Sequence, residues 1–225
     1  MLEKDKRIRI IIGHYGSGKS EFSVNYAMKL AEMGRKVAIA DLDIVNMYFR
    51  SREKAVEMEN LGVKVIGSKI NAPAIEVPSI SPEVLTPLQD ESYDTILDVG
   101  GDQVGARALG RYVDYFVEGN YDMFFVLNAN RPETQTLDKV LEYMVKIEDV
   151  SRAKITGIIN NTHLLKGTTA EDVLRGQELA LEVSARTNID IKYISVLESV
   201  VPTLPNDLEG EIFPIKMFMR EEWML

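Results

Sequence analysis

The sequence predicts an α/β fold: a mostly parallel sheet with helices on both faces. Three observations carry this. Apolar, strand-like runs alternate with segments of helical spacing along most of the chain, the pattern of strand–helix–strand crossovers. A glycine-rich turn, Gly13 to Gly18, joins the first apolar run to the first helical one. The chain has 225 residues, 45% of them hydrophobic, which is enough to bury one large core.

The elements follow in order. Ile8 to Ile12 reads as a first buried strand. Gly18 to Met33 reads as a helix, with Phe22, Tyr26, Leu30 and Met33 at helical spacing and Gly34 closing it. Val37–Ala40 and Val63–Ile66 read as the next strands, the latter at an edge. Thr95–Val99, Met123–Leu127, Ile155–Ile159 and Tyr193–Val196 complete seven. Helices are expected over 104–117, 133–147 and 170–187. Four of the eight prolines, Pro73, Pro78, Pro82 and Pro87, cluster in a stretch with interleaved serines. Strands continue on both sides, so about 67–90 reads as a surface excursion from a single domain covering 1–225. It is either an inert loop or a functional one. The end of the chain, Ile215 to Leu225, reads as a packed terminal helix, because Lys216, Arg220, Glu221 and Glu222 scatter around it rather than forming a basic face.

Composition excludes several roles. Lys and Arg number 26 against 35 Asp and Glu, a net charge of −9. General nucleic-acid binding needs clustered positive charge, so none is expected. With no cysteine, the chain has no disulfides, thiolate metal sites or cysteine nucleophile. The first residues are charged and lead only into a brief apolar run, so a cytoplasmic protein without stable membrane association is expected.

The chemistry concentrates in Gly13-His14-Tyr15-Gly16-Ser17-Gly18-Lys19-Ser20, which matches G-x-x-x-x-G-K-[ST] between a strand and a helix. This is the P-loop pattern. Glycines let successive backbone N–H groups turn inward around phosphate oxygens, and the helix N-terminus adds partial positive charge. Lys19 would reach the β- and γ-phosphates, and the Ser20 hydroxyl would ligate Mg²⁺. Asp98 ends an apolar strand in Asp98-Val99-Gly100-Gly101. A carboxylate there can hold Mg²⁺ through water, and Gly101 lets a backbone N–H approach the γ-phosphate. Asp41 and Asp43 face the same way in extended chain, so one can sense Mg²⁺ and the other orient the attacking water. Both are also common capping and turn residues. Asn160-Asn161-Thr162-His163 follows another strand, where open α/β sheets place ligands. An Asn amide suits a purine edge, and an Asn pair is equally ordinary turn chemistry.

This order of motifs resembles the MinD/ParA-like branch of SIMIBI-class P-loop NTPases, over about residues 6–200. The resemblance implies an Mg²⁺-dependent ATP-binding protein with slow hydrolysis. It places Lys19 and Ser20 on phosphate and Mg²⁺, Asp43 on water, Asp98 on Mg²⁺ and Asn160 on the base. Gly13, Gly16, Ser17, Gly18, Glu21 and Gly101 complete the expected nucleotide contacts. The chain departs from the family twice. His14 and Tyr15 stand where the signature lysine would reach across a nucleotide-sandwich dimer. Glu21 stands where a second Thr would meet the α-phosphate, and a carboxylate there is repulsive unless it points away. The stretch after Asn160 lacks the Lys and Asp of the guanine-reading Asn-Lys-x-Asp signature, which disfavours GTP.

The function expected is a nucleotide-dependent switch acting on an unidentified protein partner, with a homodimer left open. Two alternatives stand beside it. One is a small-molecule phosphotransferase or ligase whose acceptor region is Asn46 to Gln89, with Arg50, Arg52 and Lys54. The other is a binding module with negligible turnover. Arg50, Arg52, Arg107 and Arg131 are candidates for a second activating cation.

Overall fold

The computed structural model describes residues 2–43, 55–67 and 81–219. Arg50, Arg52, Lys54, Pro73 and Pro78 lie outside these residues, as does 220–225.

The elements, in chain order, are β1 (Ile8–Ile12), α1 (Lys19–Glu32), β2 (Val37–Asp41), α2 (Ala55–Asn60), β3 (Lys64–Ile66), α3 (Leu85–Gln89), β4 (Asp94–Asp98), α4 (Gln103–Arg107), β5 (Tyr121–Leu127), α5 (Leu137–Ser151), β6 (Gly157–Asn160), α6 (Ala170–Thr187), β7 (Ile191–Leu197) and β8 (Glu211–Ile215). Among the described residues the strands form one sheet in the order β3-β2-β4-β1-β5-β6-β7-β8, with every neighbouring pair parallel. The central strands are buried along their whole length. That is why they read as unbroken apolar runs rather than alternating ones.

Successive side chains feed two cores, as a pleated strand requires. Ile8, Ile10 and Ile12 pack with Val140, Met144 and Ile147 of α5 and with Leu179 and Val183 of α6. Ile11 points the other way, to Phe22, Tyr26 and Leu30 of α1. Helices therefore cover both faces.

In a parallel sheet all strand ends with the same polarity share one edge. The C-terminal ends of β1, β2, β4, β5, β6 and β7 thus converge. The chain runs from β1 toward β2 on one side, and from β4 crosses back over β1 to β5. The crevice at such a reversal is where open α/β sheets bind ligands.

Four expectations change. The 104–117 helix is a short α4 followed by a tighter 3-10 segment, Ala108–Tyr115. Gly105 and Gly110 interrupt it, and a glycine disfavours helix interiors by about 1 kcal/mol. The 133–147 helix begins instead at Leu137, because the Thr134 hydroxyl donates to Asn128 O and holds the preceding residues in a turn. The sixth strand runs one residue beyond the expected Ile159 end, to Asn160. The expected terminal helix is not formed at its start: Ile215 ends β8, and Lys216 to Met219 continue without helix.

Candidate nucleotide-binding site

The loop from Gly13 to Gly18 leaves β1 and opens α1, as its sequence requires. Gly18 precedes the helix with φ of +86°, and any Cβ there would lie 2.2 Å from Asn161 Nδ2. The left-handed backbone and the filled space both demand glycine. The loop is braced from behind. Asn161 Nδ2 donates to Ser17 O at 2.7 Å, and Arg131 Nε donates to Gly16 O at 2.9 Å. Asn128, buried at the end of β5, accepts from Asn130 N and His163 N. Asn130 in turn donates to His163 O and to Asp172, whose other oxygen closes the capping box of α6 with Thr169. The β5 and β6 loops are thereby fixed to each other and to the P-loop.

Lys19 is buried and donates to His14 O at 3.3 Å. Burial pulls its ammonium pKa down, while Asp98, Asp43 and Asp102 pull the other way. Asp98 pairs across the sheet with Asp41 on one side and Ile11 on the other, which sets it directly beside the P-loop strand. Burial pushes its carboxyl up to about 6, and Asp43 adds to this; hydrogen bonds from Ser20 and Ser23 and the charge of Lys19 oppose it. Both shifts arise mainly from lost water, so Lys19 and Asp98 each favour a counter-charge.

Asp43 N donates to Asp41 Oδ1, and Asp43 Oδ1 would sit 3.1 Å from a Cβ at Gly100. Gly101 lies against the loop, where a side chain would meet Tyr15 N at 2.6 Å and Lys19 Nζ at 2.8 Å. The Tyr143 hydroxyl of α5 donates to Gly101 O, and its ring packs edge-on against His14.

These groups open onto a cavity of about 330 Å³. Gly16, Gly18, Lys19, Ser20 and Asp43, from the ends of β1 and β2, line one side; Leu165, Val196, Leu197, Ile215, Met217 and Met219, from the β6 to β8 side of the sheet order, form an apolar end. Ser195 lines the apolar end, and its buried hydroxyl has no partner among the described residues.

The residues expected from sequence divide accordingly. Gly16, Gly18, Lys19, Ser20, Glu21 and Asp43 line the cavity. Asp98 adjoins it through Ser20, and Gly101 through Lys19. Gly13 and Ser17 stand behind the loop. A Cβ at Gly13 would lie 2.4 Å from Val126 O, and Ser17 is fully buried, its N–H donating to His14 O. Asn160 is corrected. It is fully buried, donates to Val173 O and Gln177 Oε1, and accepts from Thr162 N, away from the cavity. Since β6 includes Asn160, its neighbour Asn161 is the one that faces the P-loop. Glu21 is redirected too. Its carboxylate accepts from Phe218 N and Met219 N of the final segment. Arg107 is exposed on α4, whereas Arg131 lines the cavity. Sequence reasoning missed Asn128, Tyr143 and Ser195. An amide directly after the apolar run Met123–Leu127 was the available signal for Asn128.

Solved structures resemble this fold. The cell division protein FtsY of Thermotoga maritima superposes with a TM-score of 0.57 at 21% identity, over 85% of this chain and 62% of that one. Chloroplast FtsY of Physcomitrella patens gives 0.56 at 20% identity, over 90% and 61%. The signal recognition particle receptor FtsY of Elizabethkingia anophelis gives 0.54 at 18%, over 87% and 60%. The fold these structures share with it is the P-loop NTPase α/β fold, a parallel sheet with helices around it. The chain spans about three fifths of the length of these FtsY proteins. No family model matches it, and no curated protein matches it by sequence. Among the described residues no helix is long and apolar enough to cross a membrane.

Proposed function

We propose that this chain binds Mg·ATP in the cavity, hydrolyses it slowly and uses the bound state to signal to a protein partner. One observation carries the reading: Lys19 and Ser20, at the N-terminus of α1, face Asp98 and Asp43 at one end of a cavity whose other end is apolar. That arrangement suits a polyphosphate beside a nucleobase.

The oxygen donors fit the metal. Among the described residues no cluster of three His, Cys, Asp or Glu could hold an ion alone. Mg²⁺ characteristically takes one or two protein oxygens and completes its shell with water and phosphate, which suits Ser20 and Asp98. When bound, Mg²⁺ would neutralise charge on the phosphates. Lys19 adds a positive charge to the same oxygens. Asp43 holds the attacking water and takes its proton as the new O–P bond forms and the bridging P–O bond breaks, leaving ADP and inorganic phosphate.

Adenine is favoured over guanine by the carboxylates. Guanine presents N–H donors on its pairing edge that call for an anionic acceptor. Of the carboxylates lining the cavity, Asp43 belongs to the phosphate end and Glu21 accepts from the backbone of Phe218 and Met219. The Ser195 hydroxyl can donate to or accept from an adenine edge. A GTP reading stands second, because the FtsY of Elizabethkingia anophelis was also solved in complex with GDP.

Calorimetry tests the site. Lys19→Ala should lose about 2–5 kcal/mol of ATP affinity, with circular dichroism unchanged. Equal affinity in wild type and variant would sink the proposal. GTP competing better than ATP would replace the base assignment, and a phosphorylated acceptor instead of free phosphate would make the protein a transferase.

A further inference from the structure

Arg131 is a cation with an unusual posting. It follows β5 in a turn fixed by Arg131 N donating to Asn128 O and Thr134 N donating to Arg131 O. Its Nε donates to Gly16 O at 2.9 Å. Among the described residues no carboxylate pairs with its guanidinium. The same group lies flat on the P-loop: a Cβ at Gly16 would sit 2.9 Å from Cζ, 2.9 Å from Nε and 3.0 Å from Nη2. Nearly equal distances to three atoms of one plane place that point above the plane, not at its edge. Gly16 has φ of +74° and so is glycine by backbone as well as by space.

Its surroundings decide what it serves. Arg131 lines the cavity and follows β5, the neighbour of β6, whose loop carries Asn161 and His163. Asp98 and Asp43, which mark the proposed phosphate and metal end, follow β4 and β2, on the other side of β1. With one face against Gly16, the guanidinium lines the cavity with the rest of its surface.

We propose that Arg131 is the platform on which the nucleobase stacks, the P-loop holding the planar guanidinium in place through Gly16 O. A guanidinium is planar and weakly hydrated, so it stacks on π-systems and lies in cation–π register with them. The arginine thereby grips the base and ribose side of the ligand and contributes little to the triphosphate. This rests on the nucleotide reading above and adds to it the group that holds the base.

The experiment compares two ligands on three proteins. Wild type, Arg131→Ala and Arg131→Lys are titrated with Mg·ATP and with Mg·tripolyphosphate, each by displacement of a fluorescent ATP analogue. Stacking of this kind is worth about 5- to 30-fold in affinity when desolvated. Arg131→Ala should lose that factor for ATP and leave tripolyphosphate within twofold. Arg131→Lys, which keeps the charge and loses the plane, should recover only part of it. A parallel loss for both ligands would mean that Arg131 serves the phosphates or merely shapes the P-loop, and would overturn the proposal. So would full rescue by lysine, or no effect of alanine. Wild-type protein that binds neither ligand would instead overturn the nucleotide reading itself, and this inference with it.

Discussion

Asp43 and Asp98 are both carboxylates beside one lysine, yet their surroundings separate their tasks. Asp98 is buried at the end of β4 and bonded to the hydroxyls of Ser20 and Ser23, so it is held beside the serine proposed to take the metal. Asp43 lies in irregular chain after β2 and lines the cavity itself. Only the second can take a proton from a water in the cavity. Asp43→Asn should therefore keep ATP affinity and lower the hydrolysis rate by about 10²–10⁴. An unchanged rate in a single-turnover phosphate-release assay would make Asp43 a turn residue. Legibility at this scale differed by residue. Lys19 and Ser20 were readable because the motif fixes their spacing. Asn161 was obscured because a strand end misjudged by one residue exchanges the two faces, and so swaps it with Asn160.

At the scale of elements, the opposite edge of the sheet depends on a buried charge. Arg9 is the second residue of β1, at 1% exposure, and its Nη1 donates to Asp94 Oδ1 at 2.6 Å, at the start of β4. Arg35 donates to the other oxygen of Asp94 at 2.7 Å. Burial raises the Asp94 pKa, but the two arginines outweigh it and hold the carboxyl below its usual 3.8. Removing one partner of a buried pair strands the other, so Asp94→Ala should cost about 3–5 kcal/mol in denaturant unfolding. The pH sign follows from the depressed value. The stabilisation is present above the ordinary carboxylate range and is lost as pH falls below 3.8 through the lower folded-state value. Wild type should thus converge on Asp94→Asn in melting temperature only in that acid range; a constant gap down to pH 2 would exclude the ion pair as its source. The strands flanking this pair were legible because burial on both faces makes them uniformly apolar. β8 was not, because Glu211-Ile212-Phe213-Pro214-Ile215 contains a proline, which argues against a central strand. It lies at the sheet edge, beyond β7, where a missing N–H is tolerated.

For the molecule as a whole, the distribution of cations sets the rate expected of the proposed hydrolysis. Lys19 is the described cation whose charge acts on Asp98 and is acted on by Asp43, Arg107 is exposed on α4, and Arg131 is held by Gly16 O on the β5 side of the P-loop. An added cation at the transferring phosphate is worth about 10³–10⁵ in rate. The isolated protein should hydrolyse ATP well below the ~1 s⁻¹ at the slow end of kinases. Turnover per molecule should stay constant as protein concentration rises. A rate that climbs with concentration would show that a second copy supplies the missing charge.

The sheet order also governs time. β1 carries the P-loop, yet neither of its neighbours is adjacent in the chain: Ile11 pairs with Asp98 on one side and Phe124 on the other. Hydrogen bonds that hold the glycine-rich loop come from still farther along, from Arg131 and Asn161. Contacts across such separations require loop closure before they reward the chain, and they place a protein among the millisecond-to-second folders. During refolding, far-UV signal from α5 and α6 should therefore recover before the protein can capture nucleotide. The P-loop, written in the first twenty residues, would be among the last features to be held in place.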